Sequence, residues 1–313
     1  GVGGGWNING DIRAQNGISV ENGTVSGTAN VTVLGGSLSG NGTVSMGGGT
    51  TTVATTNTLG GTAPWTFNNL VLGNGIIVGT TTAATNATTT ILGRLTIGAA
   101  HTFSLGGAHI DLRGSGTVFV ESGVFLEGTS TVRYSGTTGS QVLSTAYHNL
   151  ELMALGNAPT FTGSGLGIAV LNDLTVGGAT TTTFTLDTHD PVLDVNGTVR
   201  INTTGTLIGS ASAAFTVGGG WDNDGTFTGS GGTVTFDGGS SSLIAAGNSS
   251  FAHVLVSGSG SFTFTEHATA TGAFTLSNAG AFTIQSGQIL AVGGTFLNSV
   301  GGAATTWTGS TLS

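Results

Sequence analysis

Thr117-Val118-Phe119-Val120, Gly123-Val124-Phe125-Leu126 and Thr131-Val132-Arg133-Tyr134 follow one another in one short stretch of the chain. Each run alternates apolar and polar side chains. Successive side chains of a strand point to opposite faces, so the alternation describes a strand with one buried face. The residues are β-branched or aromatic, which suits a pleated, half-buried surface. Glycine, serine and glutamate separate the runs. Glycine and asparagine reach the positive φ angles that tight corners need.

The same style extends outward in both directions, with a short run about every 7 to 12 residues. An anchor recurs within it. Phe67-Asn68-Asn69-Leu70-Val71-Leu72 returns as Tyr147-His148-Asn149-Leu150-Glu151-Leu152 and again as Phe251-Ala252-His253-Val254-Leu255-Val256, at steps of 80 and 104 residues. Before it stand Thr43-Val44-Ser45-Met46, Thr131-Val132-Arg133-Tyr134 and Thr233-Val234-Thr235-Phe236. After it stand Leu95-Thr96-Ile97, Leu174-Thr175-Val176 and Phe274-Thr275-Leu276, then Phe103-Ser104-Leu105, Phe184-Thr185-Leu186 and Phe282-Thr283-Ile284. Val2-Gly3-Gly4-Gly5-Trp6-Asn7 likewise matches Val217-Gly218-Gly219-Gly220-Trp221-Asp222. Repeats with conserved landmark order and variable spacing are the signature of a repeat architecture. The landmarks divide the chain into the end of a preceding module (1–42), a first module (43–130), an enlarged second (131–232) and an incomplete third (233–313). All four belong to one continuous elongated array.

Two architectures fit. A parallel β-solenoid stacks coils of about 20 to 30 residues. Tandem antiparallel β-sandwiches would take about 80 to 100 residues each. The runs are shorter and more numerous than sandwiches need, so an all-β parallel β-solenoid is expected. Only three prolines interrupt the ladder donors.

Composition narrows function. Glycine supplies 59 of 313 residues, charged residues are 6%, and the net charge is −9. The apolar content of 37% and the strand-forming residues argue against disorder, which combines low hydrophobicity with high net charge. Arg13, Arg94, Arg113, Arg133 and Arg200 are the only cations besides histidine, and lysine is absent. Nucleic-acid binding needs clustered cations and is excluded as an expectation. Without lysine there are no Lys–Asn cross-links, and without cysteine no disulfides or thiolate metal sites. No apolar run reaches the roughly 18 residues of a membrane span. The chain opens at Gly1 and closes on Trp307-Thr308-Gly309-Ser310-Thr311-Leu312-Ser313, which reads as a strand in progress and as a piece of a longer repetitive chain.

The chemistry-bearing residues are few. Asp187, Asp190 and Asp194 with His189 form the densest acidic region, and aspartates there are read as turn formers. Asp222 and Asp224 flank Asn223 like half of a calcium loop, without the glycine and distal glutamate of an EF-hand. His101, His109, His148, His189, His253 and His267 show no metal-ligand spacing. The threonine runs Thr80–Thr82, Thr88–Thr90 and Thr180–Thr183 lack the fixed coil period of an ice-binding array. Seven Asn-x-Ser/Thr sites, Asn22, Asn30, Asn41, Asn86, Asn196, Asn202 and Asn248, match what this serine and threonine content gives by chance, and decide nothing. No catalytic residue, metal ligand or cofactor is assigned.

The repeat style, carried by Thr233-Val234-Thr235-Phe236-Asp237-Gly238, Leu243-Ile244, Phe251 to Val256 and Gly218 to Phe227, resembles that of large bacterial surface proteins. Filamentous-haemagglutinin-like adhesins and autotransporter passengers are the named families of that type. The resemblance implies a secreted, elongated stalk and carries over no catalytic residue. The expectation is a non-enzymatic structural segment of an extracellular, cell-surface fibre, stalk or surface layer, associating end to end with copies of itself. The alternative is an adhesin or glycan-binding solenoid whose partners are cell-surface glycans.

Overall fold

A computed structural model describes residues 4–84, 88–247 and 249–313. Val2, Gly3, Asn86 and Asn248 therefore lie outside the described residues. The chain is an all-β parallel β-solenoid, with about 14 turns among the described residues. Among the described residues the strand pairings are parallel. That excludes the sandwiches, which need antiparallel pairs. A single 3₁₀ turn at Gly302–Ala304 is the one helical element among the described residues. Among the described residues no helix is long and apolar enough to cross a membrane.

The chain forms two compact units, Gly1–Gln141 and Val142–Ser313. In the second unit each coil contributes one strand to each of three parallel stacks. Leu174–Val176, Thr182–Thr185 and Val192–Val195 make one coil, and Val199–Ile201, Gly205–Ile208 and Phe215–Val217 the next. Every strand pairs with the strand three places later. The first unit follows the same plan with one variation. Thr24–Gly27, Val31–Val33 and Leu38–Ser39 make one of its coils and mark its first, second and third faces, and Thr43–Val53 and Trp65–Leu72 each run across the corner between the first and second. Thr43–Val53 turns that corner through a register shift between Met46 and Thr50, at Gly47-Gly48-Gly49. Gly49 has φ +63°, and a Cβ there would stand 2.5 Å from the Ala29 carbonyl oxygen, so only glycine fits.

Alternation becomes ladders. In the first unit Val25, Val44, Trp65, Thr89, Ile110 and Val132 stack in one inward column. In the second unit Leu150, Leu174, Val199, Trp221, Ile244, Phe264 and Ile284 form another. A third carries Phe161, Phe184, Leu207 and Phe227. These side chains are buried except that of Val25, which is half-buried, and Thr89 is the one polar member. Each fully buried large apolar side chain contributes about 1.5–3 kcal/mol. The buried tryptophans also satisfy their indole N–H groups. Trp65 Nε1 donates to the Gly42 carbonyl at 2.9 Å and Trp221 Nε1 to Ser249 Oγ at 3.0 Å.

Candidate functional site

The recurring anchor has one structural meaning in all three copies. Its third position sits at a corner and binds the backbone of the next coil. Asn69 Oδ1 accepts the Arg94 N–H at 3.0 Å, while the Leu70 N–H donates to the Arg94 carbonyl at 2.9 Å. Asn149 Oδ1 accepts the Asp173 N–H at 3.4 Å, and the Leu150 N–H donates to the Asp173 carbonyl at 3.0 Å. His253 Nδ1 accepts the Ala273 N–H at 2.9 Å, and the Val254 N–H donates to the Ala273 carbonyl at 3.0 Å. The preceding corner amides Gly93, Asn172 and Gly272 donate to backbone carbonyls of the coil before, whereas the Arg94, Asp173 and Ala273 N–H groups take the side-chain acceptor, which satisfies a donor otherwise left to solvent. The device extends beyond the anchors. Asp11 accepts the Asn30 N–H, Asn30 the Thr50 N–H and Asp173 the Thr198 N–H. The Asn30 amide contacts hold the Asp11 carboxyl below its ordinary value, the backbone N–H chiefly and the side-chain NH₂ next.

The acidic candidates occupy separate places. Asp190, at φ +46°, accepts from Ser210 Oγ and the Ala211 N–H, both at 2.7 Å, and from Ser212 Oγ at 3.2 Å. These bonds, that of Ser210 foremost, lower its carboxyl pKa. His189 Nδ1 lies 3.2 Å from the Gly163 carbonyl. Asp194 accepts from Thr216 Oγ1 at 2.5 Å. Burial, and next the charge of Asp194, raise the carboxyl of Asp237. Asp222 points outward and pairs with Arg200 at 3.1 Å, whereas its neighbour Asn223 is buried and donates to Ser249 Oγ at 3.0 Å. Asp222 and Asn223 therefore face opposite sides of one strand. Among the described residues no group of three or more His, Asp or Glu side chains is placed to hold a metal ion.

His101 is buried in the first unit. Thr81 Oγ1 accepts from Asn57 Nδ2 at 2.9 Å and lies 2.8 Å from His101 Nε2. His101 Nδ1 has no hydrogen-bond partner. Burial pushes the imidazole below its ordinary value.

Threonines fall into register where the sequence spacing predicts no array. Thr160, Thr183, Thr206 and Thr226 form one column of the second unit. Thr162, Thr185, Ile208 and Thr228 form its neighbour. Ile208 interrupts that neighbour and Thr185 is buried, so the hydroxyl surface is not continuous.

A concave site exists that sequence reading missed. A cleft of about 430 Å³ lies on the first unit, at the corner between the first and second faces. Its shape follows from corner length. The strand Trp65–Leu72 passes its corner without a break, the next coil inserts residues 92–94, and the one after inserts residues 113–118. The lengthening corners build a wall beside the outward side chains of Val71 and Thr96. Gly93 and Gly114 let the corners nest, since a Cβ on Gly114 would stand 2.0 Å from the Gly93 carbonyl oxygen. Thr50, Asn69, Leu92, Arg94, Ser115 and Thr117 complete the lining. Arg94 Nε donates to the Thr117 carbonyl at 3.0 Å. Arg94 and Asn69 were legible only as one cation and one anchor residue, because nothing local marks them as neighbours of residues 114–117.

No family model, no curated protein and no solved structure matches the chain.

Proposed function

We propose that the chain is a non-catalytic structural segment of an extracellular fibre, stalk or surface layer, able to associate with copies of itself. The observation that supports this reading is the stacking of short coils in parallel register, with apolar ladders inside and corner acceptors outside. Such a chain invests its sequence in length. Each added coil extends the stack by about 4.8 Å and touches only its neighbours. The resemblance of its repeats to those of bacterial adhesins and autotransporter passengers points the same way. Negative-stain electron microscopy and sedimentation velocity over a concentration series test it. Growth into longer rods is the expected result. Short, monodisperse particles at every concentration would sink the self-association. Antibody labelling of intact source cells tests the location, and labelling only after lysis would exclude a surface role.

A second reading, an adhesin that binds glycans, is supported by the cleft around Arg94.

A further inference from the structure

We propose that the Arg94 cleft binds the carboxylate of an acidic sugar unit, a uronic acid within a polysaccharide or surface glycan. This deepens the adhesin reading and rests on it. The cleft, about 430 Å³, has the size of a small-molecule site. Among its lining residues Arg94 is the only charged one. The chain carries 14 acidic residues against five arginines. Arg113 pairs with Asp111 and Arg200 with Asp222. Arg94 makes no ion pair among the described residues, and its Nε is committed to the Thr117 carbonyl. That bond fixes the guanidinium and leaves the two terminal nitrogens as a fork, whose geometry matches a carboxylate bidentately.

The remaining lining fits the sugar. Thr50, Thr96 and Ser115 supply hydroxyls, and Asn69 supplies an amide whose oxygen already holds the Arg94 N–H. Val71 and the part-exposed Leu92 supply the apolar surface for the C–H face of a pyranose ring. One cation without a second beside it suits a monoanionic carboxylate better than a doubly charged phosphate.

The test is titration of the folded chain with glucuronic-acid oligosaccharides and with the matching glucose oligosaccharides, read by calorimetry and by chemical-shift changes. Saturable binding of the acidic series, weakened by added salt, is expected. Arg94→Gln lowers that affinity by about tenfold or more and Arg94→Lys by less, because lysine keeps the charge and loses the fork. Thr96→Tyr fills the cleft from the open second face and abolishes binding. Circular dichroism confirms that each variant is folded. Equal binding of the neutral series, or affinity unchanged in both Arg94→Gln and Thr96→Tyr, overturns the inference while the adhesin reading stands. No binding of either series by the folded wild-type chain overturns the inference and removes the support the cleft gives to the adhesin reading.

Discussion

His101 shows how one buried residue ties stability to pH. Its ring is almost fully buried, Nε2 meets Thr81, and Nδ1 has no partner. The strands around it, Asn57–Gly60, Gly79–Ala83 and Val124–Leu126, carry no titratable side chain, and neither does the segment Gly73 to Val78. Glu121 is the nearest carboxylate along the following coil, and it is engaged by the Phe125 N–H at 3.1 Å. A proton on His101 therefore finds no charge to balance it. The unfolded ring protonates near its ordinary value of 6.5, and the buried ring only below that. Between those two values the unfolded chain holds more protons. Stability accordingly falls as pH drops below about 6.5, by at most about 1.4 kcal/mol per pH unit, and levels off below the buried ring's own value. Thermal melts of wild type and His101→Phe across this window measure it. The wild type loses more stability than the variant on acidification, and parallel curves would refute the assignment. The sequence marked His101 only as one of six histidines without metal-ligand spacing, to be read as structural or surface residues, and its burial was not legible, because His101 and His109 look alike in their local context.

At the scale of the strand and its corner, the anchor motif becomes a hydrogen-bonding device. The pattern of aromatic residue, two polar or small residues and an apolar alternation was visible in the sequence. Its cause was not, because the partner stands 20 to 25 residues away, at Arg94, Asp173 or Ala273. The strands themselves were legible, since alternation of Val, Phe and Thr is a local signal. Asn149 is the informative residue for a test. Its Oδ1 accepts from Asn172 Nδ2 at 2.8 Å as well as from the Asp173 N–H. Asn149→Ala removes both acceptor contacts and costs about 1–3 kcal/mol if the freed donors stay dry, less if water reaches them. Asn149→Asp keeps an acceptor and retains most of the stability. Urea unfolding curves separate the two, and equal midpoints for alanine and aspartate would show that the corner contact contributes nothing.

At the scale of each whole unit, the fold class was legible and the register was not. Short apolar runs do not distinguish parallel from antiparallel pairing. Their number and brevity did favour coils. Register escaped because coil length varies. Thr24 pairs with Thr43, 19 residues on, and Leu70 with Leu95, 25 on. The same variation hid the threonine columns and the Arg94 cleft, both of which join residues from several coils. Stacking also decides how damage spreads. Trp221 sits in the second unit with ring centroids 4.8 Å from Phe227, 5.3 Å from Phe251 and 5.8 Å from Phe215. It pairs in register with Val199 in the coil before and Ile244 in the coil after. Trp221→Ala removes the largest side chain of that cluster and costs about 3–5 kcal/mol. In an array whose coils touch only their neighbours, the loss is borne locally. Hydrogen exchange followed by mass spectrometry reads its extent. Peptides covering Val199–Ile201, Phe227 and Ser242–Ala245 lose protection, while those covering Ala281–Ile284, two coils beyond Ser242–Ala245 in the same stack, keep it. A uniform loss across the second unit would mean that its coils unfold as a single cooperative block, and that nearest-neighbour stacking does not govern its stability.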